Sequence, residues 1–152
     1  MLLDIIIYPN ENLRKKSVEL SSDEIRNAKF QEFIDNLSET MLKEDGAGLA
    51  APQVNILKRV VVVNLNASGN AKEFINPKIL KKSFRKTIIE EGCLSVPDKF
   101  CNVKRPKKIK VKYQDRHGDW HKDKCDDYLS RVLQHEIDHL DGVLFIDKIL
   151  IN

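Results

Sequence analysis

The sequence predicts an α+β fold: a single domain over 1–152, with mostly antiparallel sheets around a helix near the C-terminal end of the chain. Three observations carry that expectation. Two segments have the three-and-four apolar spacing of amphipathic helices, 59–65 contains four consecutive valines, and 109–120 alternates apolar and polar residues around a Gly-containing turn. The composition is that of an ordinary globular protein, with 41% hydrophobic and 32% charged residues among 152. At this length roughly 68 to 70% of the unfolded chain's surface can be buried, so a core forms without disulfides or structural metals.

The first eight residues are apolar except for Asp4 and end at Pro9, which reads as a strand. They lack the basic leader and small-residue cleavage site of a secretory signal, and no run approaches the ~20 apolar residues of a membrane helix, so a soluble protein is expected. Phe30, Phe33, Ile34, Leu37 and Met41 mark one face of a helix, with Ser21, Ser22 and Asp23 as capping candidates and Gly46 as the first strong stop. A buried strand follows at 59–65, with short strand pieces at 74–75 and 87–89. Ile109, Val111 and Tyr113 alternate with lysines and Gln114, and after His117-Gly118-Asp119 a second hairpin strand begins near Trp120. The last long element, 127–141, is a helix with Tyr128, Leu129, Val132, Leu133 and Leu140 on one face and Ser130, Arg131, Gln134, Asp138 and Asp141 on the other.

His135, Glu136 and His139 fall on the apolar face of that helix, where burying them costs several kcal/mol unless each has a partner. A metal supplies one. Histidines four apart on a helix bring both rings to one ion, and His135-Glu136-Ile137-Asp138-His139 is the H-E-x-x-H pattern in which the glutamate handles protons. The competing reading is a chance pair of core or surface histidines. A third ligand does not come from downstream: Phe145 occupies the position of a third histidine, no Glu follows His139, and Asp141 and Asp147 are poor candidates.

Cys93 is the better donor, and Cys-His-His ligation leaves a position open for water. Taken alone, Cys93 reads equally as a small buried hydrophobe. A closed Cys2His2 site with Cys101 is the rival, although it leaves Glu136 without purpose. His117 and His121 are also four apart, but the turn between them makes them solvated hairpin residues.

Gly46-Ala47-Gly48-Leu49-Ala50-Ala51-Pro52-Gln53 loosely matches a dinucleotide fingerprint, but a helix precedes it and Pro52 breaks any helix after it. The segment reads either as backbone kept bare so that an extended ligand can pair with it, or as a turn without a role. Three cysteines, an odd and sparse set, fit a reducing compartment; the cytoplasm is expected, with an organelle left open. A net charge of +3 demands no nucleic-acid partner.

Together with the glycine segment, Glu91-Gly92-Cys93-Leu94-Ser95 and the stretch from Gln134 through His135-Glu136-Ile137-Asp138-His139 to Gly142 resemble the three signature motifs of the peptide deformylases, in the same order. The resemblance spans nearly the whole chain. It implies an enzyme that removes the formyl group from N-formylmethionyl ends of new polypeptides with one divalent metal, Fe2+ in the cell and replaceable by Ni2+, Co2+ or Zn2+. It implies Cys93, His135 and His139 as ligands and Glu136 as catalytic acid and base. Gln53 and the Leu94 N–H match the groups on the formyl oxygen, the Gly48 backbone a substrate contact, Glu91 an acid behind the ligands and Arg105 its partner.

The chain departs from the pattern in two places. Many bacterial members carry a further C-terminal helix beyond the position of Asp147, and Phe100 stands where some carry a basic residue near the substrate.

Ile89, Tyr128, Leu129 and Val132 are the expected pocket for the methionine side chain, although core packing explains them nearly as well. The alternatives in other classes are a metallopeptidase and an RNA-binding or ribosome-associated module with structural zinc. The second is suggested by Lys104, Arg105, Lys107, Lys108, Lys110 and Lys112, which otherwise read as a solvated face and not a dedicated nucleic-acid site.

Overall fold

Val60 to Val63 are all fully buried because they belong to a strand covered on both sides. Val61 and Val63 pack with Val132, Leu133, Ile137 and Leu140 on one side, while Val60 and Val62 face Ile34, Leu37 and Met41 on the other. The computed structural model describes residues 1–65 and 68–150. Its elements are α1 (Ser22–Arg26), α2 (Ala28–Lys43), β1 (Gly48–Ala50), β2 (Val60–Leu65), β3 (Asn70–Lys82), β4 (Lys86–Cys93), β5 (Val96–Pro106), β6 (Lys108–Gln114), β7 (Trp120–Asp126) and α3 (Asp127–Leu140). The sheet order is β1-β2-β3-β6-β7, with β4-β5 as a separate two-stranded ribbon, and every ladder is antiparallel. The α+β architecture follows the sequence expectation, with α2 and α3 on opposite faces of the sheet.

Local chemistry sets the element ends. Ser21 and Glu24 form a reciprocal capping box on α1, and the Asn27 side chain accepts from Lys29 N to start α2. The Ser21 cap therefore belongs to a short helix ahead of the expected one. After α3 the chain turns through Gly142 at φ +74, where a Cβ would meet the Arg14 carbonyl oxygen at 2.3 Å, so this position needs glycine for both conformation and space. The Arg59 guanidinium donates to the Leu140 carbonyl at 3.1 Å, satisfying one of the last free acceptors of the helix.

Three expectations are corrected. Residues 1–8 form no strand: Leu3 N donates to Thr40 Oγ1, Ile6 N to the Gln53 carbonyl and Tyr8 N to the Ser95 carbonyl, so the arm's amides go to three different partners instead of one ladder. The pieces at 74–75 and 87–89 are parts of long strands β3 and β4, whose solvent-exposed lengths carry no apolar pattern. The polar face of α3 is not left to water as its residue types suggest: Ser130, Arg131 and Gln134 are buried. The β4-β5 ribbon lies over it, with Gln134 Nε2 donating to the Pro106 carbonyl at 2.9 Å. Among the described residues, no helix is long and apolar enough to cross a membrane.

Candidate metal centre

The helical repeat of α3 brings His135 and His139 side by side, with ring centroids 5.1 Å apart, and both are buried. Cys93 comes from the ribbon, at the end of β4 where the chain turns at Leu94 and Ser95 into β5. Its Sγ lies 3.4 Å from His139 Nε2, and one donor atom from each of Cys93, His135 and His139 lies within 4.8 Å of the other two. Cys101, opposite Glu91 in the ladder, does not join this group. Asp141 pairs with Arg59, and Asp147 with Arg14.

Burial and the nearby His135 hold the pKa of His139 well below the ordinary imidazole value, which keeps its ring neutral. Burial also opposes charge on His135, but hydrogen bonds with Cys93 and Glu91 outweigh it and push its pKa up to about 10, so a metal ion held by this ring would have to displace a proton. Burial raises Glu136 to about 7. Its Oε2 is buried without a hydrogen-bond partner, and its Oε1 lies against β1: a Cβ at Gly48 would sit 2.8 Å from it.

Glu91 is a hub behind His135. His135 Nδ1 lies 2.9 Å from its Oε1, and Arg105 reaches both oxygens, at 2.6 and 3.0 Å, while also bonding Asp138 at 2.8 Å. Burial works against the Glu91 charge, but the bonds from His135 and Arg105 overcome it and hold the carboxyl well below its usual range. A neutral Nδ1–H tautomer of His135 donating to Glu91 leaves Nε2 as the free lone pair.

The remaining expected residues lie around this centre. Gln53 is buried, accepts from Ala50 N at 2.9 Å, and turns its amide nitrogen to Ser95 Oγ at 3.1 Å and Cys93 Sγ at 3.5 Å. The Leu94 side chain comes so close to Gly46 that a Cβ there would be 2.9 Å from its Cδ1. Val132 touches Gly48, while Tyr128 and Leu129 pack on the main core and the Tyr128 hydroxyl donates to the Asn64 carbonyl. Ile89 is 49% exposed, between Thr87 and Glu91 on their face of β4.

Sequence reasoning missed Arg131 and Asp138 as members of the polar cluster. Arg131 lies one helical turn before His135 and so borders the histidine face, although its polar type groups it with the opposite face in the sequence.

A cysteine sulfur and two imidazoles converging beside an unpartnered carboxyl oxygen fit a divalent ion with an open side. The sequence profile of the family described as polypeptide deformylase matches residues 2–150. A peptide deformylase of Zymomonas mobilis is 42% identical over 97% of this chain and 86% of its own length. One from Stenotrophomonas maltophilia is 44% identical over 96% of this chain and 86% of its own length. The crystal structure of peptide deformylase from Thermotoga maritima superposes with a TM-score of 0.94 at 38% identity, covering 99% of each chain. A class I type b peptide deformylase of Acinetobacter baumannii with Met-Ala-Ser bound gives 0.92 at 35% identity, covering 98% of this chain and 99% of that one. With the family profile spanning 2–150 and both sequence and fold matching over nearly the whole chain, this chain belongs to the peptide deformylase family, enzymes that remove the N-formyl group from nascent peptides.

Proposed function

We propose that Cys93, His135 and His139 ligate one divalent ion, Fe2+ in the cell and replaceable by Zn2+, Ni2+ or Co2+, and that the chain, as one catalytic domain over 1–152, releases formate from N-formylmethionyl peptides. The observation that carries this reading is the convergence of three donor atoms within 4.8 Å, beside a Glu136 carboxylate that has an unpartnered oxygen. When bound, such an ion polarises a carbonyl and lowers the pKa of a water from about 15.7 toward about 7.

The chain's own residues do the rest. Glu136 accepts the proton of the water that adds to the formyl carbon, and its pKa near 7 suits it to both accept and return that proton. Negative charge builds on the formyl oxygen, and Gln53 Nε2 and the Leu94 N–H donate to it; one such donor is worth about 2.7 to 4 kcal/mol in the transition state. As the C–N bond breaks, Glu136 passes the proton to the leaving amine. Formate and a free N-terminus result. Glu91 and Arg105 hold His135 in place.

The substrate backbone pairs with β1 as an added strand. β1 is an edge strand of the sheet, and the bare α-carbon of Gly48 lets the peptide approach Glu136. Val132, Tyr128, Leu129 and Ile89 receive the methionine side chain.

The enzyme works in the cytoplasm, near the ribosome surface. Lys110 lies between Lys81 and Lys124, and Lys112 between Lys78 and Lys122, in two cross-strand rows without ion pairs among the described residues, which supports a cationic face toward that anionic particle. Arg105, grouped with these basic residues in the sequence, is buried against Glu91 and takes no part.

The test is an assay of anaerobically purified protein on formyl-Met-Ala-Ser with metal content measured on the same sample. Formate release in proportion to bound metal is expected. Cleavage of peptide bonds without formate would make the chain a metallopeptidase instead.

A further inference from the structure

We infer that Arg131 is a positioning residue for the metal centre: its guanidinium locks the Glu91 carboxylate and ties the helix that carries both histidines to the ribbon that carries Cys93. The inference rests on the metal reading above.

Arg131 sits on α3, one turn before His135, and is only 8% exposed. Its Nη1 donates to Glu91 Oε2 at 2.5 Å and to the Val103 carbonyl of β5 at 3.1 Å. Its Nη2 donates to the Thr87 carbonyl of β4 at 2.8 Å and to Thr87 Oγ1 at 3.2 Å. One side chain thus fastens α3 to both strands of the ribbon.

The carboxylate it grips is fully used. Oε1 takes His135 and Arg105 Nη2, and Oε2 takes Arg105 Nε and Arg131. Because His135 and Arg131 hold different oxygens from the same helix, the carboxylate cannot rotate away from His135 without breaking one of them. Arg105 also reaches α3, through Asp138, but it grips the carboxylate from β5, paired with the strand that bears Glu91, and not from the helix side.

Packing alone does not call for an arginine here. Replacing a buried ion pair by apolar side chains of similar volume is often neutral or stabilising, so a buried guanidinium with four acceptors implies a demand on geometry. Partners behind metal ligands typically change metal affinity about 10- to 100-fold when removed.

The test compares Arg131→Lys, Arg131→Met and Thr87→Val with the wild type, each loaded with Co2+. Three quantities are read: cobalt release into excess chelator, the thiolate-to-cobalt absorption band, and the melting temperature. Both Arg131 variants should release cobalt about 10- to 100-fold faster, with a shifted band, since lysine restores charge but not the forked contact. Thr87→Val loses one contact and keeps the hold on Glu91, so it should stay near wild type.

If Arg131→Met does not fold, Arg131→Lys decides. An Arg131→Lys protein that keeps the wild-type release rate and band, whatever its melting temperature, would overturn the inference. If the wild type itself binds no cobalt, the metal reading fails and this inference falls with it, an outcome distinct from a wild type that binds cobalt and an Arg131→Lys protein that matches it.

Discussion

Gly48 and Glu136 meet across the site: a Cβ at Gly48 would lie 2.7 Å from Glu136 Cγ, 2.8 Å from Oε1 and 2.9 Å from Val132 Cγ1. The edge strand is thus in contact with the Glu136 side chain through the absence of a side chain of its own. Gly48→Ala must push Glu136 aside, because Val132 blocks the other direction. A displacement on the order of 1 Å at a reacting group can cost about 100-fold. Steady-state formate release should fall by about that factor while metal content stays at the wild-type level. Loss of metal in this variant would show that the strand supports the ligands and not the carboxylate.

Glu136 itself is outside the group of three converging donors, so its removal should leave the ion in place. Glu136→Ala is expected to retain stoichiometric metal and lose about 10²- to 10⁴-fold in turnover, the usual range for a positioned acid/base. Metal analysis beside the rate measurement checks both halves. A metal-free Glu136→Ala protein would make Glu136 a ligand.

The helix that carries His135 and His139 was legible because its apolar periodicity is strong and H-E-x-x-H fixes two rings on one face. The valine strand was legible for the same reason, since a four-residue apolar run marks burial on both sides. The outer face of α3 was not. Gln134 and Arg131 read as solvent-facing by type, and only the ribbon, arriving from distant sequence, gives them carbonyl and carboxylate partners. Cys93 had equal local claims to ligand and core, and its approach to His139 depends on the turn of that same ribbon. The arm at 1–8 has strand-like residues, but strand identity needs one neighbour offering a ladder, and its amides find three. Gln53 stood out only as an amide N–H at the end of the glycine segment; its place at the formyl oxygen, like that of the Leu94 N–H, entered through the family resemblance, because a lone amide carries no periodic signal.

The cysteines separate the open centre from a closed one. Cys93 lies 3.4 Å from His139, and Cys101 is not among the converging donors. Cys93→Ser replaces a soft thiolate by a hard hydroxyl and should weaken Co2+ binding and abolish the thiolate absorption band. Cys101→Ser should keep both the band and the metal content. Equal loss in the two variants would favour a four-ligand structural site.

Glu91 sets the acid stability of the polar cluster. Its carboxyl is held below the ordinary 4.5 in the folded chain, so between those two values the unfolded chain binds more protons and stability rises with pH. The contribution is fully present above the unfolded value and disappears as pH falls through the folded one. Glu91→Gln leaves Arg105 and Arg131 buried without their shared counter-charge, and breaking a buried pair this way costs about 3 to 5 kcal/mol. Urea unfolding of both proteins in chelator, which removes any contribution from bound metal, should show that gap at pH 7. The gap should narrow as pH falls below 4.5, because the unfolded wild-type chain then gains a proton at Glu91 that the folded carboxyl still refuses. A gap that does not change with pH would mean that Glu91 acts through shape and hydrogen bonding, and not as the charge that holds the two arginines.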